Sequence, residues 1–320
     1  MAAAVEAHNL VLRYGKTLAL NRTSFTVPEG TVLGVLGPNG AGKTTAVRIL
    51  ATLLKADSGS ASVFGLDVLT QADKVRATIG LTGQFAAVDE YLTGYENLEM
   101  VGRLFGLSKP VSRQRADELL TRFELTDARD RTVKQYSGGM RRRLDIGASL
   151  IGHPRVLFLD EPTSGLDPRS RIGMWDLISD LVRDGTTILL TTQYLEEADR
   201  LADSIIVLDK GSVIAEGTSD QLKSQVGGER LELVLDDFTQ ASRSVELLAP
   251  LGIEPPTIDA QTRRISIPVS GGADDLAEAL ARLKSANLAV LDIGLRRPNL
   301  DDVFLSLTGH AVDDEKKDAS

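Results

Sequence analysis

The sequence predicts an α/β protein: a layered domain on a mostly parallel sheet, with an antiparallel β subdomain, a helical insertion, and a small α+β domain behind it. Three observations predict this. The runs RVLFLD (155–160), TTILLTT (186–192) and SIIVLD (204–209) are almost continuously apolar, the pattern of strands buried on both faces. A glycine-rich loop stands between an apolar run and a stretch with helical periodicity. After SQVGGER the pattern restarts with a second, shorter set of strands and helices.

Taken in order, VEAHNLVLRYG and LNRTSFTVPEGTVLGVLG are β-rich runs broken by Gly and Pro, which predicts an antiparallel edge leading into a buried strand at 31–36. Residues 44–54, TTAVRILATLL, carry apolar positions at helical spacing, and short strands are expected around 61–64 and 79–82. From Tyr95 to Gly152 strand signals fade: ENLEMVGRLFGL, SRQRADELLTRF and RRRLDIGASLI all show the 3.6-residue period, so a helical subdomain is expected at about 86–153. The three apolar runs then complete the sheet of a domain spanning 1–226. The remainder, 227–310, reads as LELVL, a helix at 239–249, a break at Pro255 and Pro256, a short strand near Ile258, RRISIPV, a helix at 274–286 and VLDIGL. That βαββαβ order permits a ferredoxin-like topology. Residues 311–320, ending in DDEKKDAS, are expected to be a disordered, solvated tail.

Composition bounds the function. The chain has 320 residues, 42% of them hydrophobic, enough for one large core and a second small one. A net charge of -9, spread along the chain rather than gathered in a tail, argues against nucleic acid as the main partner. Without cysteine there is neither a disulfide framework nor a thiolate metal site. The start, MAAAVEAHNL, lacks the charged and apolar regions of a signal peptide, and no apolar run reaches the ~18 residues of a membrane span. Service to a membrane would therefore run through a partner.

Three motifs carry chemistry. GPNGAGKTT (37–45) matches G-x-x-x-x-G-K-[ST] where the mechanism needs it, after a buried strand and opening a helix. Gly37, Pro38, Asn39, Gly40, Ala41 and Gly42 would bend the backbone so that its N–H groups, with the helix N-terminus, face bound phosphates. Lys43 would reach the β- and γ-phosphates, Thr44 would ligate Mg2+, and Thr45 completes the loop. This predicts a P-loop NTPase. The second motif, RVLFLDEP (155–162), ends a strand in two carboxylates. Asp160 can hold Mg2+ through water, and strand alternation turns Glu161 to the other side, where it can take a proton from an attacking water. Alone, such a pair also fits a solvated turn. In the third, YSGGM (136–140), Ser137 with the N–H groups of Gly138 and Gly139 forms an anion site at a helix start; on these residues alone an ordinary N-cap fits equally.

In this order, with SGLD (164–167) after the acidic pair, the motifs resemble the nucleotide-binding subunits of ATP-binding cassette (ABC) transporters, over residues 5 to about 225. The resemblance implies ATP and Mg2+ as ligands, hydrolysis of ATP with Glu161 as base, and a head-to-tail dimer. In that dimer Ser137, Gly138, Gly139 and Met140 of one subunit would contact the γ-phosphate held by the other. Tyr136 and Met140 replace the family's Leu and Gln. By position, Tyr14 would stack on adenine, Gln84 would sense Mg2+ and water beside the groove for a transmembrane partner, and Asp167 would communicate across the dimer. LRRPNLDDVFLSLTGH (295–310), TTQYLEEAD and GMRRRLDIG are similar to the daunorubicin-resistance subfamily of drug-exporter ATPases, which append a small C-terminal domain.

Where most of the family has a switch histidine, this chain has Gln193; its histidines are His8, His153 and His310. An amide can donate to a phosphate oxygen but does not titrate. With Glu161 intact, the loss falls on geometry rather than proton transfer. The expectation is thus an ATPase subunit, acting as a homodimer at the cytoplasmic face of the membrane and powering a separate polytopic permease that exports a drug-like or lipid-like compound. The alternatives are a soluble ABC ATPase acting on ribosomes or DNA, and a weakly hydrolysing regulatory subunit.

Overall fold

The computed structural model describes residues 2–84, 87–225, 228–296 and 298–308. The tail expected at 311–320 and the junction expected at 226–227 lie outside the described residues. The chain divides into two compact units, one up to Ser219 and one from Asp220 onward.

The first unit opens with β1 (Ala3–Tyr14), β2 (Thr17–Pro28) and β3 (Val32–Leu36), followed by α1 (Lys43–Leu50), β4 (Ser58–Val63), β5 (Leu66–Asp67), α2 (Ala72–Arg76) and β6 (Ile79–Thr82). Three helices form the insertion: α3 (Gly94–Leu104), α4 (Lys109–Arg122) and α5 (Gly138–Ser149). The unit closes with β7 (Val156–Asp160), α6 (Pro168–Arg183), β8 (Thr187–Thr192), α7 (Leu195–Leu201), β9 (Ser204–Asp209) and β10 (Ser212–Gly217). β1, β2, β4 and β5 make an antiparallel sheet in the order β2-β1-β4-β5. The larger sheet runs β10-β9-β3-β8-β7-β6, parallel throughout except for the edge strand β10.

The apolar runs are continuous because each face of this sheet has its own core. Val156 and Phe158 of β7 join Leu33, Val35, Val47 and Leu50 under the antiparallel sheet. Leu157 and Leu159, one residue out of phase, join Phe123, Leu144, Trp175 and Ile178 on the helical side. Alternation along a strand thus buries every position.

Helix ends follow local chemistry. Thr93 and Glu96 form a reciprocal capping box that starts α3, and Asp167, followed by Pro168 at the first helical position, starts α6. α1 stops at Leu50, short of the expected 54. Thr52 turns left-handed (φ 63°), and the N–H groups of Thr52 and Leu53 bond the carbonyls of Ile49 and Arg48, a Schellman ending built without glycine.

The register aligns the strand ends that carry the motifs. Leu36 lies opposite Thr192, and Asp160 opposite Thr191, so the glycine loop, Gln193 and Glu161 leave adjacent parallel strands β3, β8 and β7 at the same edge. Ligands of open α/β sheets bind beyond the carboxyl ends of the strands.

α8 (Ser219–Gln225) begins where the chain divides. The second unit holds β11 (Arg230–Leu235), α9 (Ala241–Leu248), β12 (Thr257–Asp259), β13 (Arg264–Pro268), α10 (Ala273–Ser285) and β14 (Val290–Arg296). Its sheet is antiparallel, in the order β12-β13-β11-β14, the ferredoxin-like arrangement. Leu231, Leu233, Ile265 and Ile267 pack with Leu248 and Leu283 in a separate core. A further helix, α11 (Leu300–Thr308), follows β14.

Candidate nucleotide site

The glycine loop wraps around the end of its own lysine. Gly40 (φ 81°) and Gly42 (φ 106°) take left-handed conformations, and a side chain on Gly42 would stand 2.4 Å from the Ala19 carbonyl oxygen. At Gly37 the added carbon would stand 2.2 Å from the Leu208 carbonyl oxygen. Lys43, only 4% exposed, donates to the carbonyls of Gly37 (2.6 Å) and Pro38 (3.0 Å). Its ammonium is also 3.6 Å from a carboxylate oxygen of Glu161, itself 8% exposed.

One residue along α1, the Thr44 hydroxyl donates to Asp160 (3.1 Å). The same carboxylate oxygen accepts from the Thr191 hydroxyl of β8 (2.5 Å). Thr191 also holds the next residue, because its carbonyl and its hydroxyl each accept from the Glu161 N–H at 3.1 Å. The two carboxylates do not point to opposite sides as strand alternation led us to expect. β7 ends at Asp160 and Glu161 turns to φ 50°, so both carboxylates reach the first turn of α1.

Lys43, Thr44 and Glu161 line an open cavity of about 290 Å3 together with Tyr14, Thr17, Ala19, Pro38, Asn39, Gly40, Ala41, Gly42, Thr45 and Gln84, and Asp160 stands behind Thr44, outside the lining. Tyr14 is half-exposed, and its flat ring stands at the rim. Gln193 is half-buried and does not line this cavity. It follows the strand between those of the glycine loop and Asp160.

Ser137, Gly138, Gly139 and Met140 are also outside it, at the start of α5, where the Ser137 hydroxyl accepts from the Met140 N–H (3.2 Å). Tyr136, where the family has Leu, is buried, and its hydroxyl donates to the Ala128 carbonyl (2.7 Å). Asp167 is exposed at the start of α6; the N–H and hydroxyl of Ser170 both donate to it and hold its carboxyl below the ordinary aspartate range.

Some residues of this neighbourhood escaped the sequence. Arg142 of α5 is buried and bonds the backbone of the Glu161 turn, and Asp145 is buried beside it; burial pushes its carboxyl up to about 6. Glu197 of α7, also buried, accepts from the Thr163 hydroxyl (2.8 Å) and the Trp175 indole (3.1 Å), and burial raises its pKa. The signal for Arg142 was present as three consecutive arginines on one helix. A 100° step per residue cannot leave all three on a face that also buries Leu144.

The donor set fits Mg2+. A hydroxyl and a carboxylate, both hard oxygen donors, already meet at Thr44 and Asp160. Mg2+ in phosphoryl-transfer sites takes one or two protein oxygens and fills its other positions largely with phosphate and water, which this pair leaves room for.

Known proteins resemble this chain in sequence and in fold. The family model described as ABC transporter matches residues 20–164. The chain is 55% identical, over 99% of its length and 99% of the relative's, to the daunorubicin resistance ATP-binding protein DrrA2 of Streptomyces coeruleorubidus. It is 53% identical to the daunorubicin/doxorubicin resistance ATP-binding protein DrrA of Streptomyces peucetius, over 97% of this chain and 94% of that one. Among solved structures, the dimeric post-hydrolysis state of an ATP-binding cassette bound to ADP and Pi superposes with a TM-score of 0.61 at 27% identity, covering 67% of this chain and 98% of that one. Glycine loop, acidic pair and full-length similarity to ATP-binding subunits lead to one conclusion: the chain belongs to the ABC transporter family as an ATP-binding, ATP-hydrolysing subunit.

Proposed function

We propose that this chain hydrolyses ATP as one half of a head-to-tail dimer and thereby drives a separate polytopic permease exporting a drug-like or lipid-like compound. The observation that carries the reading is the division of the site. Lys43, Thr44, Gln84 and Glu161 share one cavity, while Ser137, Gly138, Gly139 and Met140 stand outside it. A second copy supplies the missing anion site, and the solved relative that is dimeric with ADP and Pi supports this arrangement. Export of a drug-like compound rests on the relatives named for daunorubicin and doxorubicin resistance.

In this mechanism the loop N–H groups and Lys43 hold the phosphates, and Tyr14 stacks on the base. A phosphate at the loop competes with Glu161 for the Lys43 ammonium, which frees the carboxylate to accept the proton of the attacking water. Thr44 and, through water, Asp160 would hold Mg2+, with Gln84 at the same cavity, and the ion would supply positive charge to the phosphates. Gln193, at the end of the strand between those of the glycine loop and the acidic pair, donates an amide hydrogen to the γ-phosphate. Asp167, exposed at the loop before α6, meets the partner subunit.

An apolar groove of about 320 Å3, lined by Leu53, Ile79, Leu81, Ala87, Val101 and Phe105, receives the permease. No helix among the described residues is long and apolar enough to cross a membrane, so attachment to its cytoplasmic face goes through that partner. The ferredoxin-like unit acts as a stabilising, dimer-supporting accessory. Purification of the tagged chain from its native membranes tests the reading: a multi-span permease is expected to come along, and ribosomes or DNA in its place would refute it.

A further inference from the structure

We propose that Arg142 is the positioning residue that sets the direction of Glu161 and ties it to the segment bearing Gln84. Beyond Asp160 the chain leaves the sheet in a turn whose second residue, Glu161, has φ 50°, an unfavourable conformation for any side chain but glycine. Three successive carbonyls of this turn face a single guanidinium. The Arg142 Nε donates to Pro162 (2.9 Å), and one terminal nitrogen donates to Asp160 and Glu161, both at 3.0 Å.

The other terminal nitrogen donates to the Gly83 carbonyl, one residue before Gln84, and lies 3.5 Å from Asp145. Asp145 in turn accepts from the Ala87 N–H (2.8 Å). One buried cation on α5 therefore clamps the Glu161 turn on one side and both flanks of the Gln84 segment on the other. Ala87 and Asp145 also line the groove described above, so a push there reaches Glu161 through Asp145 and Arg142, in three bonded steps from Ala87 and two from Asp145.

The residue type is decisive. Left unpaired, buried carbonyls each cost a desolvation penalty, and only a planar fork of donors serves four of them at fixed angles. Lysine offers the charge from one point. Retraction of the fork lets the turn relax away from φ 50°, and a shift of about 1 Å at a base costs on the order of a hundredfold in rate.

The inference rests on Glu161 being the base, and the experiment separates the two claims. Full-length wild type, R142K, E161Q and the double variant are compared for kcat, for ATP affinity by equilibrium binding, and for unfolding midpoint. R142K is expected to lose at least about tenfold in kcat with ATP affinity within about twofold, and to cost nothing further on top of E161Q. R142Q, which retains amide donors, gives the same split if R142K is too unstable to assay. Native kcat in the Arg142 variants, or a loss confined to ATP affinity, overturns the proposal. Losses that multiply in the double variant overturn the route through Glu161, whereas native turnover by E161Q overturns the assignment of the base.

Discussion

At the scale of the residue, the departure from the catalytic set that the resemblance implies is Gln193, at the end of β8 between the strands of the glycine loop and the acidic pair. An amide donor without a titrating proton supports geometry alone, so Gln193→Ala should lower kcat by about 10- to 100-fold, the range for losing one donor to developing charge. Gln193→His should stay within a few-fold of wild type and add a limb near the ordinary imidazole range to a pH–rate profile that otherwise lacks it. Steady-state hydrolysis between about pH 5.5 and 8.5 measures both. Asp145 gives a second pH signature, in stability. Its carboxyl is pushed from 3.8 up to about 6 in the folded chain, chiefly by burial. Between those values the folded chain holds a proton that the unfolded chain has released, so this group's contribution falls as pH rises and is lost above about 6. Asp145→Asn cannot ionise; its stability relative to wild type should rise by on the order of 3 kcal/mol from about pH 4 to pH 7. Fluorescence of Trp175, the single tryptophan and buried in the helical-side core, follows the unfolding. Sequence named the lysine, threonine, glutamine and glutamate that line the cavity, and Asp160 bonded to that threonine, because each is part of a spaced motif. Arg142, Asp145 and Thr191 belong to no such spacing; their roles come from bonds to backbone atoms that only the folded turn brings near.

At the scale of the element, the glycine loop shows what fixes the site. Gly42 combines a left-handed φ with a carbonyl 2.4 Å from any added side chain, so Gly42→Ala should destabilise the first unit by at least about 3 kcal/mol and abolish ATP binding. Chemical denaturation and nucleotide titration check the two halves of that expectation. Strands were legible because burial on both faces writes a run of apolar residues that no helix face requires. Helix ends were less so: α1 ends in a left-handed threonine, whereas the sequence signal for such an ending is glycine. The side to which Glu161 points was misjudged for a related reason. Alternation applies within a strand, and β7 stops one residue before it.

At the scale of the molecule, the glycine loop and the acidic pair stand at the carboxyl edge of the parallel sheet and Ser137 to Met140 at the start of a different helix; in the dimer we propose, these are the two halves of one catalytic site. Order of motifs is what suggests that division, since order survives where side-chain geometry is invisible. The ferredoxin-like topology of the second unit was readable only as a permitted order; the pairing of β11 between β13 and β14 needed coordinates. Closure by ATP and reopening by hydrolysis are then two uses of one interface, and blocking the second should preserve the first. The most direct measurement is the molecular mass and bound nucleotide of Glu161→Gln with Mg2+ and ATP, alongside its turnover. The expected result is a stable dimer holding two ATP molecules and only a residual hydrolysis, roughly 10^2- to 10^4-fold below wild type; a monomer with ATP bound, or hydrolysis at the wild-type rate, would contradict the account.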